Sequence, residues 1–539
     1  MTTQTPPFGR VLVANRGEIA VRIIRACHEM GMLAVAVYSD ADVDAQHVRM
    51  ADAAVRLGPA APSESYLRID AIVDAALATG AEAIHPGYGF LSERAAFARA
   101  VEAAGVVFVG PSSTVIDALG DKLHARRVAR TVDVPAVPGT IDPAPVDRSD
   151  LVAGIVAEAE RIGFPLLVKA AAGGGGRGMR RVARAADLPA ALAAGSAEAV
   201  SAFGEGSVYL EREIRPARHI EVQLLGDATG RIVAIGERDC SLQRRHQKLV
   251  EEAPAPGLST DERRQLHELA VRIASAAGLR NAATAEFLRA PDGAFYFLEV
   301  NTRLQVEHGV TELVTGLDIV HEQFRLAAGE PLSPAALDAA DRAAEPASHA
   351  IEVRLAAEDP ARDFAPGPGL IRRWVMPSGP GVRVDTGLRP DDRVPPDYDN
   401  LVAKIMVHAI DRGAAIDRLR RALDETEIAG IQTTLPFHGF VARHAGFRAG
   451  DLSTDWVADH WDGASARAGL AAEAATAASA WAATTGPMSE GTDHVGPTGG
   501  GPAHDGPTGG PTSPTLPTAD RPDGWAAAAR AEAIDRWPR

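Results

Sequence analysis

Apolar and polar positions alternate along the chain in a way that changes period several times. Residues 10–14, apolar after Arg10, read as a strand, 15–18 as a turn and 19–30 as a helix. Further apolar runs at 33–38, 83–85 and 106–109 read as strands. Strands alternating with helical segments predict a parallel α/β sheet. The turn after the first strand has one glycine and no GxGxxG pattern, so no dinucleotide site is expected there. Residues 131–150 are rich in Pro and Asp and read as a linker. A second α/β region runs to about residue 329, and the Ala-, Asp- and Pro-rich stretch 331–348 reads as another junction. From 351 to about 461 come short strands and one clear helix at 414–423. Beyond 461 the sequence turns Ala-rich and then Gly-, Pro-, Thr- and Ser-rich, with Gly-Pro-Thr-Gly-Gly at 496 and 506. Such a composition buries too little apolar surface to offset ordering entropy, so a disordered tail is expected.

The strongest polar pattern is Phe295-Tyr-Phe-Leu-Glu-Val-Asn-Thr-Arg-Leu-Gln-Val-Glu-His308. If extended, it places Glu299, Asn301, Arg303, Gln305 and Glu307 on one face, and Tyr296, Leu298, Val300, Thr302, Leu304 and Val306 on the other. Glu299 and Asn301 are hard oxygen ligands suited to Mg2+ on a nucleotide, and Glu286 offers a second carboxylate. Arg303 can clamp a small anion and Glu307 can act as a general base. The alternative is a solvated strand face. A second pattern is Lys169 at the end of an apolar strand, followed by Gly173-Gly174-Gly175-Gly176-Arg177-Gly178. Its backbone N–H groups can close over phosphate oxygens; the alternative is a surface linker. It is no Walker loop, because no Gly-Lys-Ser/Thr follows. The run 237–248 packs many polar donors together and is either an anion site or a basic surface loop. The loop 85–93 lies where open α/β sheets place ligands, and Ser92 is placed to cap the next helix.

Composition narrows the classes. The 539 residues suggest about three to five domains at roughly 100–200 residues each. With 71 acidic against 55 basic residues the formal charge is −16, which disfavours nucleic acid or an anionic membrane as the main partner. No apolar run is long enough to span a bilayer. Cys27 and Cys240 cannot make a disulfide framework, and a cytoplasmic setting is expected. The only lysines are Lys122, Lys169, Lys248 and Lys404. Where arginine is so strongly preferred, a lysine marks a place that needs a compact ammonium, or it is a chance survivor.

Together, Ala-Asn-Arg-Gly-Glu-Ile-Ala at 14–20, His-Pro-Gly-Tyr-Gly-Phe-Leu-Ser-Glu at 85–93, the glycine loop at 173–178, Glu-Arg-Asp-Cys-Ser at 237–241 and the 299–308 segment resemble the biotin carboxylase family. The resemblance covers roughly residues 8–460. It implies a Rossmann-like N-terminal domain (8–121), an ATP-grasp domain (122–330), an α+β C-terminal biotin carboxylase domain (349–461) and the low-complexity tail (462–539). It also implies ATP- and bicarbonate-dependent carboxylation of biotin through carboxyphosphate, the first half-reaction of a biotin-dependent acyl-CoA carboxylase. Its cofactors are ATP and Mg2+ or Mn2+.

By the same resemblance, Lys122, Lys169 and His219 contact ATP. Glu211, Arg212, Glu213 and Ile214 form the adenine hinge, Gly175 and Gly176 close over the nucleotide, and Gln243, His246 and Leu298 line its site. Glu286, Glu299 and Asn301 hold metal. Lys248, Arg303, Gln305 and the Val306 backbone grip bicarbonate beside Glu307, and Arg354 faces biotin. Arg22, Arg25 and Glu29 belong to a homodimer interface. Gly309 stands where the family usually has proline, and Arg212 where it often has lysine. No lysine has the flanking methionines of a biotin attachment site, so a separate biotin carboxyl carrier protein and carboxyltransferase subunits are the implied partners. Two other readings stay open: an ATP-grasp ligase with another acceptor, and a non-catalytic subunit that organises a carboxylase complex.

Overall fold

Strand β1 (Arg10–Val13) is apolar and buried from Val11 onward because both of its faces are covered. Val11 and Val13 pack with Ile19, Ile23 and Ile24 of the helix Gly17–Glu29, while Leu12 packs on the other side with Ile72, Phe97 and Val101. This is the pattern of a parallel strand between two helical layers. With β2 (Leu33–Ser39), β3 (Ala53–Gly58), β4 (Ala83–His85) and β5 (Val107–Phe108) it makes a parallel sheet in the order β3-β2-β1-β4-β5. The structure, a computed structural model, describes residues 6–142, 149–171, 179–203 and 206–485. The parallel sheet matches expectation, with β3 an additional strand. Ser92 does not cap the following helix: Arg94 holds the cap position, without a side-chain bond, and Ser92 is buried.

A small antiparallel sheet follows, β7 (Arg180–Val182), β6 (Leu166–Ala170) and β8 (Val208–Arg212), in that order. Next come β9 (Arg218–Gly226), β10 (Ile232–Arg244), β11 (Gln247–Ala253), β12 (Asn281–Arg289), β13 (Phe295–Asn301) and β14 (His349–Ala356). Three two-stranded ribbons belong to the last region: β15 (Glu358–Asp359) with β16 (Ala365–Pro366), β17 (Gly369–Leu370) with β20 (Arg393–Val394), and β18 (Arg373–Val375) with β22 (Glu427–Ala429). Its longer strands, β19 (Val382–Thr386) and β21 (Leu401–Ala409), instead extend one eight-stranded antiparallel sheet, β13-β12-β9-β10-β11-β14-β21-β19. One face of this sheet is apolar. Ile220, Val222, Leu224, Ala283, Ala285 and Phe287 meet Leu266, Leu269 and Ile273 of the helix Thr260–Ala276, whose start is fixed by a Ser259–Glu262 capping box. The opposite face carries the polar residues considered below.

Two expected connections are structured. Residues 331–348 contain the helix Pro334–Arg342, capped by Ser333, and its small Ala336 and Ala339 fit into the core beside Phe324 and Leu332. The start of the 131–150 linker is clipped to two sheets. Pro135 O accepts from Phe297 N at 2.7 Å, and Thr140 N donates to Leu210 O at 2.9 Å. A Cβ on Gly139 would lie 2.3 Å from Leu210 O and 3.1 Å from Glu211 Cα, both backbone atoms that cannot step aside. Gly139→Ala is therefore expected to cost about 1–3 kcal/mol. An unchanged urea midpoint would mean that the segment hangs free.

The described residues of 6–360 and 364–461 make one compact unit. The helix Gly463–Thr485 belongs to a second. That part of the tail is regular because alanine has the highest helix propensity; residues 486–539 lie outside the described residues. No helix among the described residues is long and apolar enough to cross a membrane.

Candidate active site

The polar face of the large sheet begins with strict alternation on β9, where His219, Glu221 and Gln223 alternate with the core residues Ile220, Val222 and Leu224. Glu221 lies opposite Glu286 on β12, and Glu286 opposite Glu299 on β13. The β12–β13 register shifts at this point: Phe287 pairs with Phe297, but Glu286 pairs with Glu299, leaving Leu298 as an extra residue. This bulge reverses the alternation. Phe295 and Phe297 face the core before it, and Val300 faces the core after it. Without the bulge Glu299 and Asn301 would point into the core with Phe297. The uninterrupted period expected from the sequence is thus corrected by one residue.

The strand also stops at Asn301, so Arg303, Gln305 and Glu307 come from a loop and not from an extended face. Other elements hold that loop. Arg303 Nε donates to Glu93 at 2.9 Å, and Thr302 N donates to the same carboxylate at 3.2 Å. Lys404 Nζ donates to Val306 O at 2.8 Å. Glu307 ends the loop directly before the helix His308–Thr315, where the helix dipole favours a negative charge.

The loop and the sheet meet at Lys248. Its ammonium lies 2.6 Å from Glu307 and 3.0 Å from Glu286, donates to Gln305 Oε1 at 3.3 Å, and also pairs with Glu221. Arg354 on β14 contacts Glu307 at 2.9 Å and Glu251 on its other side. Burial penalises every one of these charges. For Glu307 the nearby Lys248 and Arg354 outweigh it and hold the carboxyl well below the usual range; Lys248 and His219 do the same for Glu286. Beneath them Arg238 is fully buried, donating to Glu221 at 2.6 Å, Gln223 at 2.9 Å, Thr311 at 2.8 Å and Thr284 at 3.2 Å. These bonds satisfy its guanidinium away from water.

The other expected residues fall in three groups. Lys122 bonds Glu299 at 2.9 Å, His219 lies 3.0 Å from Glu286, and Asn301 donates to Glu286 at 2.9 Å, so these join the same network. Lys169 and Arg126 clamp the buried Glu211 one sheet away. Gln243 is buried opposite Lys248, and Leu298 is half-buried at the bulge. Arg212 is exposed, Glu213 pairs with Arg181 at 2.6 Å, Ile214 is half-buried and His246 is exposed at the β10–β11 turn. Gly175 and Gly176 lie outside the described residues. Arg22 is a correction: it is buried against Glu312 at 2.9 Å and Asp318 at 2.7 Å within the chain, because its position on the helix faces inward. Arg25 and Glu29 are exposed.

Glu286 and Glu299 on adjoining strands, with the Asn301 amide beside them, form a set of hard oxygen donors that fits a small divalent cation. Sequence reasoning placed Arg238 only within the 237–248 run and Lys404 only among the scarce lysines, and it missed Glu221, Glu251 and Glu352. The alternation on β9 signalled Glu221, and lysine scarcity signalled Lys404. Lys404 is fully buried, 3.2 Å from Glu18 and 3.9 Å from Asp385. Lys404→Met is expected to destabilise the fold by about 3–5 kcal/mol, since it strands buried carboxylates and frees the Val306 carbonyl. A urea midpoint equal to that of the parent would refute this.

A second buried cluster gives a pH prediction. Glu252 lies 2.7 Å from both His349 and Arg412. Burial alone would raise its pKa, but these partners bring it down to about 2. Its contribution to stability is present above the ordinary carboxylate range and is lost as pH falls towards about 2. The gap in urea midpoint between parent and Glu252→Gln should therefore narrow on acidification from pH about 6 to about 3. A gap independent of pH would contradict it.

Three family models match: "Biotin carboxylase, N-terminal domain" at 7–116, "Carbamoyl-phosphate synthase L chain, ATP binding domain" at 121–335 and "Biotin carboxylase C-terminal domain" at 352–459. A biotin carboxylase of Halalkalibacterium halodurans is 47% identical over 453 residues, covering 84% of this chain and 98% of that protein. Biotin carboxylase of Pseudomonas aeruginosa is 47% identical over 448 residues, covering 83% and 97%. Among solved structures, the biotin carboxylase domain dimer of Hydrogenobacter thermophilus 2-oxoglutarate carboxylase, in complex with MgADP, ADP and bicarbonate, is similar at a TM-score of 0.79 and 44% identity, over 84% of this chain and 98% of that one.

Proposed function

The chain belongs to the biotin carboxylase family, and from that premise we propose how its own residues perform the ATP- and bicarbonate-dependent carboxylation of biotin. The observation that carries the proposal is Glu307, a buried carboxylate held between Lys248 and Arg354, whose charges outweigh burial and keep its pKa well below the usual range. Bicarbonate binds to Arg303, Lys248, Gln305 and the Val306 backbone, and Glu307 takes its proton. The resulting carbonate oxygen attacks the γ-phosphorus of ATP, ADP leaves, and carboxyphosphate forms. Phosphoryl transfer of this kind depends mainly on positioning and electrostatics. Lys122, Lys169 and His219 supply positive charge to the nucleotide, while Glu211 to Ile214, Gln243, His246 and Leu298 line its site. When bound at Glu286, Glu299 and Asn301, Mg2+ neutralises phosphate charge.

Carboxyphosphate then separates into CO2 and phosphate. The phosphate takes the ureido N–H proton of biotin, Arg354 stabilises the negative charge on the ureido oxygen, and the nitrogen attacks CO2. Excluding water protects carboxyphosphate from hydrolysis. None of the four lysines has the flanking methionines of a biotin attachment site, so biotin is brought to this site by a biotin carboxyl carrier, and a carboxyltransferase consumes the product. The chain acts as a homodimer in the cytoplasm; the dimeric state of the Hydrogenobacter relative and the two free buried cysteines support this.

The test is phosphate release from ATP with Mg2+, bicarbonate and free biotin, each omitted in turn. Release that requires both bicarbonate and biotin is expected. Release indifferent to biotin would point to another acceptor, and no turnover by folded, nucleotide-binding protein would point to an organising role.

A further inference from the structure

Two buried carboxyl groups beside Arg354 have no part in the chemistry above. Glu251 on β11 and Glu352 on β14 are direct cross-strand partners, which places their Cβ atoms about 4.5–5.5 Å apart. Both side chains are fully buried. One oxygen of Glu251 accepts from Arg354, and the other has no hydrogen-bond partner; neither oxygen of Glu352 has one. Glu352 is closely packed. Met406 is its cross-strand neighbour on β21, and a Cβ on Gly309 would lie 3.6 Å from its Oε2 and 2.3 Å from Met406 Sδ. The glycine at that position thus lets the helix His308–Thr315 close over the pair.

The charged groups facing the pair come from every adjoining element. Arg354 is on β14 and Lys248 on β11; Glu307 heads the helix; Lys404 is on β21, itself engaged by Glu18, Asp385 and the Val306 carbonyl; and Cys240 on β10 is a titratable but neutral thiol, its pKa pushed up by burial. Two adjacent carboxylates in a water-excluded site cannot both ionise cheaply. We propose that Glu251 and Glu352 share one proton and act as positioning residues for Arg354, a reading that rests on the role given to Arg354 above. With Arg354 on Glu251, the proton resides on Glu352. When Arg354 turns to the ureido oxygen, the Glu352 O–H donates to Glu251, and the charge of the pair stays at minus one. Arg354 can therefore leave without stranding a bare carboxylate. In keeping with this, burial pushes Glu251 up to about 7 despite Arg354, and pushes Glu352 well above the usual carboxylate range despite Lys404.

The full chain, Glu352→Gln and Glu251→Gln are compared by the ratio of biotin-dependent to biotin-independent phosphate release across pH. In the parent the ratio should fall at alkaline pH, where the pair loses its last proton and grips Arg354 more tightly; in Glu352→Gln that fall should vanish. In Glu251→Gln the ratio should drop about 100-fold at every pH, the cost of a misplacement of about 1 Å. Superimposable pH profiles for the parent and Glu352→Gln would overturn the proposal. A second measurement is the infrared carbonyl stretch of a protonated carboxyl in the parent above neutral pH. A band lost in Glu352→Gln is expected, and a parent with no such band overturns the shared proton even if a variant fails to fold. The band is read whether or not biotin stimulates phosphate release, so failure of the pair and failure of the carboxylase reading are separate outcomes.

Discussion

Glu307→Gln should lower bicarbonate-dependent ATP cleavage by about 100- to 10,000-fold, the usual contribution of a positioned general base. The substitution preserves size and removes only the proton acceptor. Lys248 keeps Glu286 and Glu221 as partners, and Arg354 keeps Glu251, so the surrounding network retains counter-charges. Steady-state phosphate release at saturating ATP measures the loss, and circular dichroism confirms the fold. A decrease of only a few-fold in folded protein would remove Glu307 from the role of base. The lowered pKa of this carboxyl keeps it charged through the neutral range, so protonation of the resting base does not limit the rate there.

Arg354→Ala should lower the biotin-dependent part of phosphate release by about 100- to 1,000-fold, as loss of one donor to a developing oxyanion does. The biotin-independent part should fall less. Arg354→Lys separates charge from geometry. The guanidinium reaches Glu251 and Glu307 at once from a strand whose backbone is fixed by β11 and β21, and the Arg354 carbonyl is held by His438 at 2.7 Å and Thr434 at 2.9 Å. An ammonium lacks the planar fork for this and should recover little activity. Equal losses in the biotin-dependent and biotin-independent rates would mean that Arg354 serves only to hold Glu307.

Much of this molecule follows from local pattern. The first apolar runs specify parallel strands because each must pack on two faces, and the alternation at 219–224 specifies a half-polar strand. Glu299 and Asn301 were legible because oxygen donors recur there at alternate positions, and Lys248 because lysine is scarce, whereas Glu221, Glu251 and Glu352 were not. The family likeness then gave them roles that periodicity alone left open. What pattern did not reveal was the bulge at Leu298, since a register shift depends on which residue lies across the ladder. The end of β13 at Asn301 escaped for the same kind of reason: the 302–307 loop is held by Glu93 and Lys404, residues about 100 to 200 positions away.

Burial marks the same division. The sequence by itself determined which side chains can hold a proton, a phosphate or a cation, and which strands can carry them, because those properties belong to a residue and its near neighbours. The tertiary structure alone decided that Arg22 turns inward, that Arg238 is sealed beneath the polar face of the large sheet, and that Glu251 and Glu352 pair across strands away from water. Charge state and partner choice depend on dielectric surroundings and cross-strand register, and both are set by contacts between segments far apart in the chain.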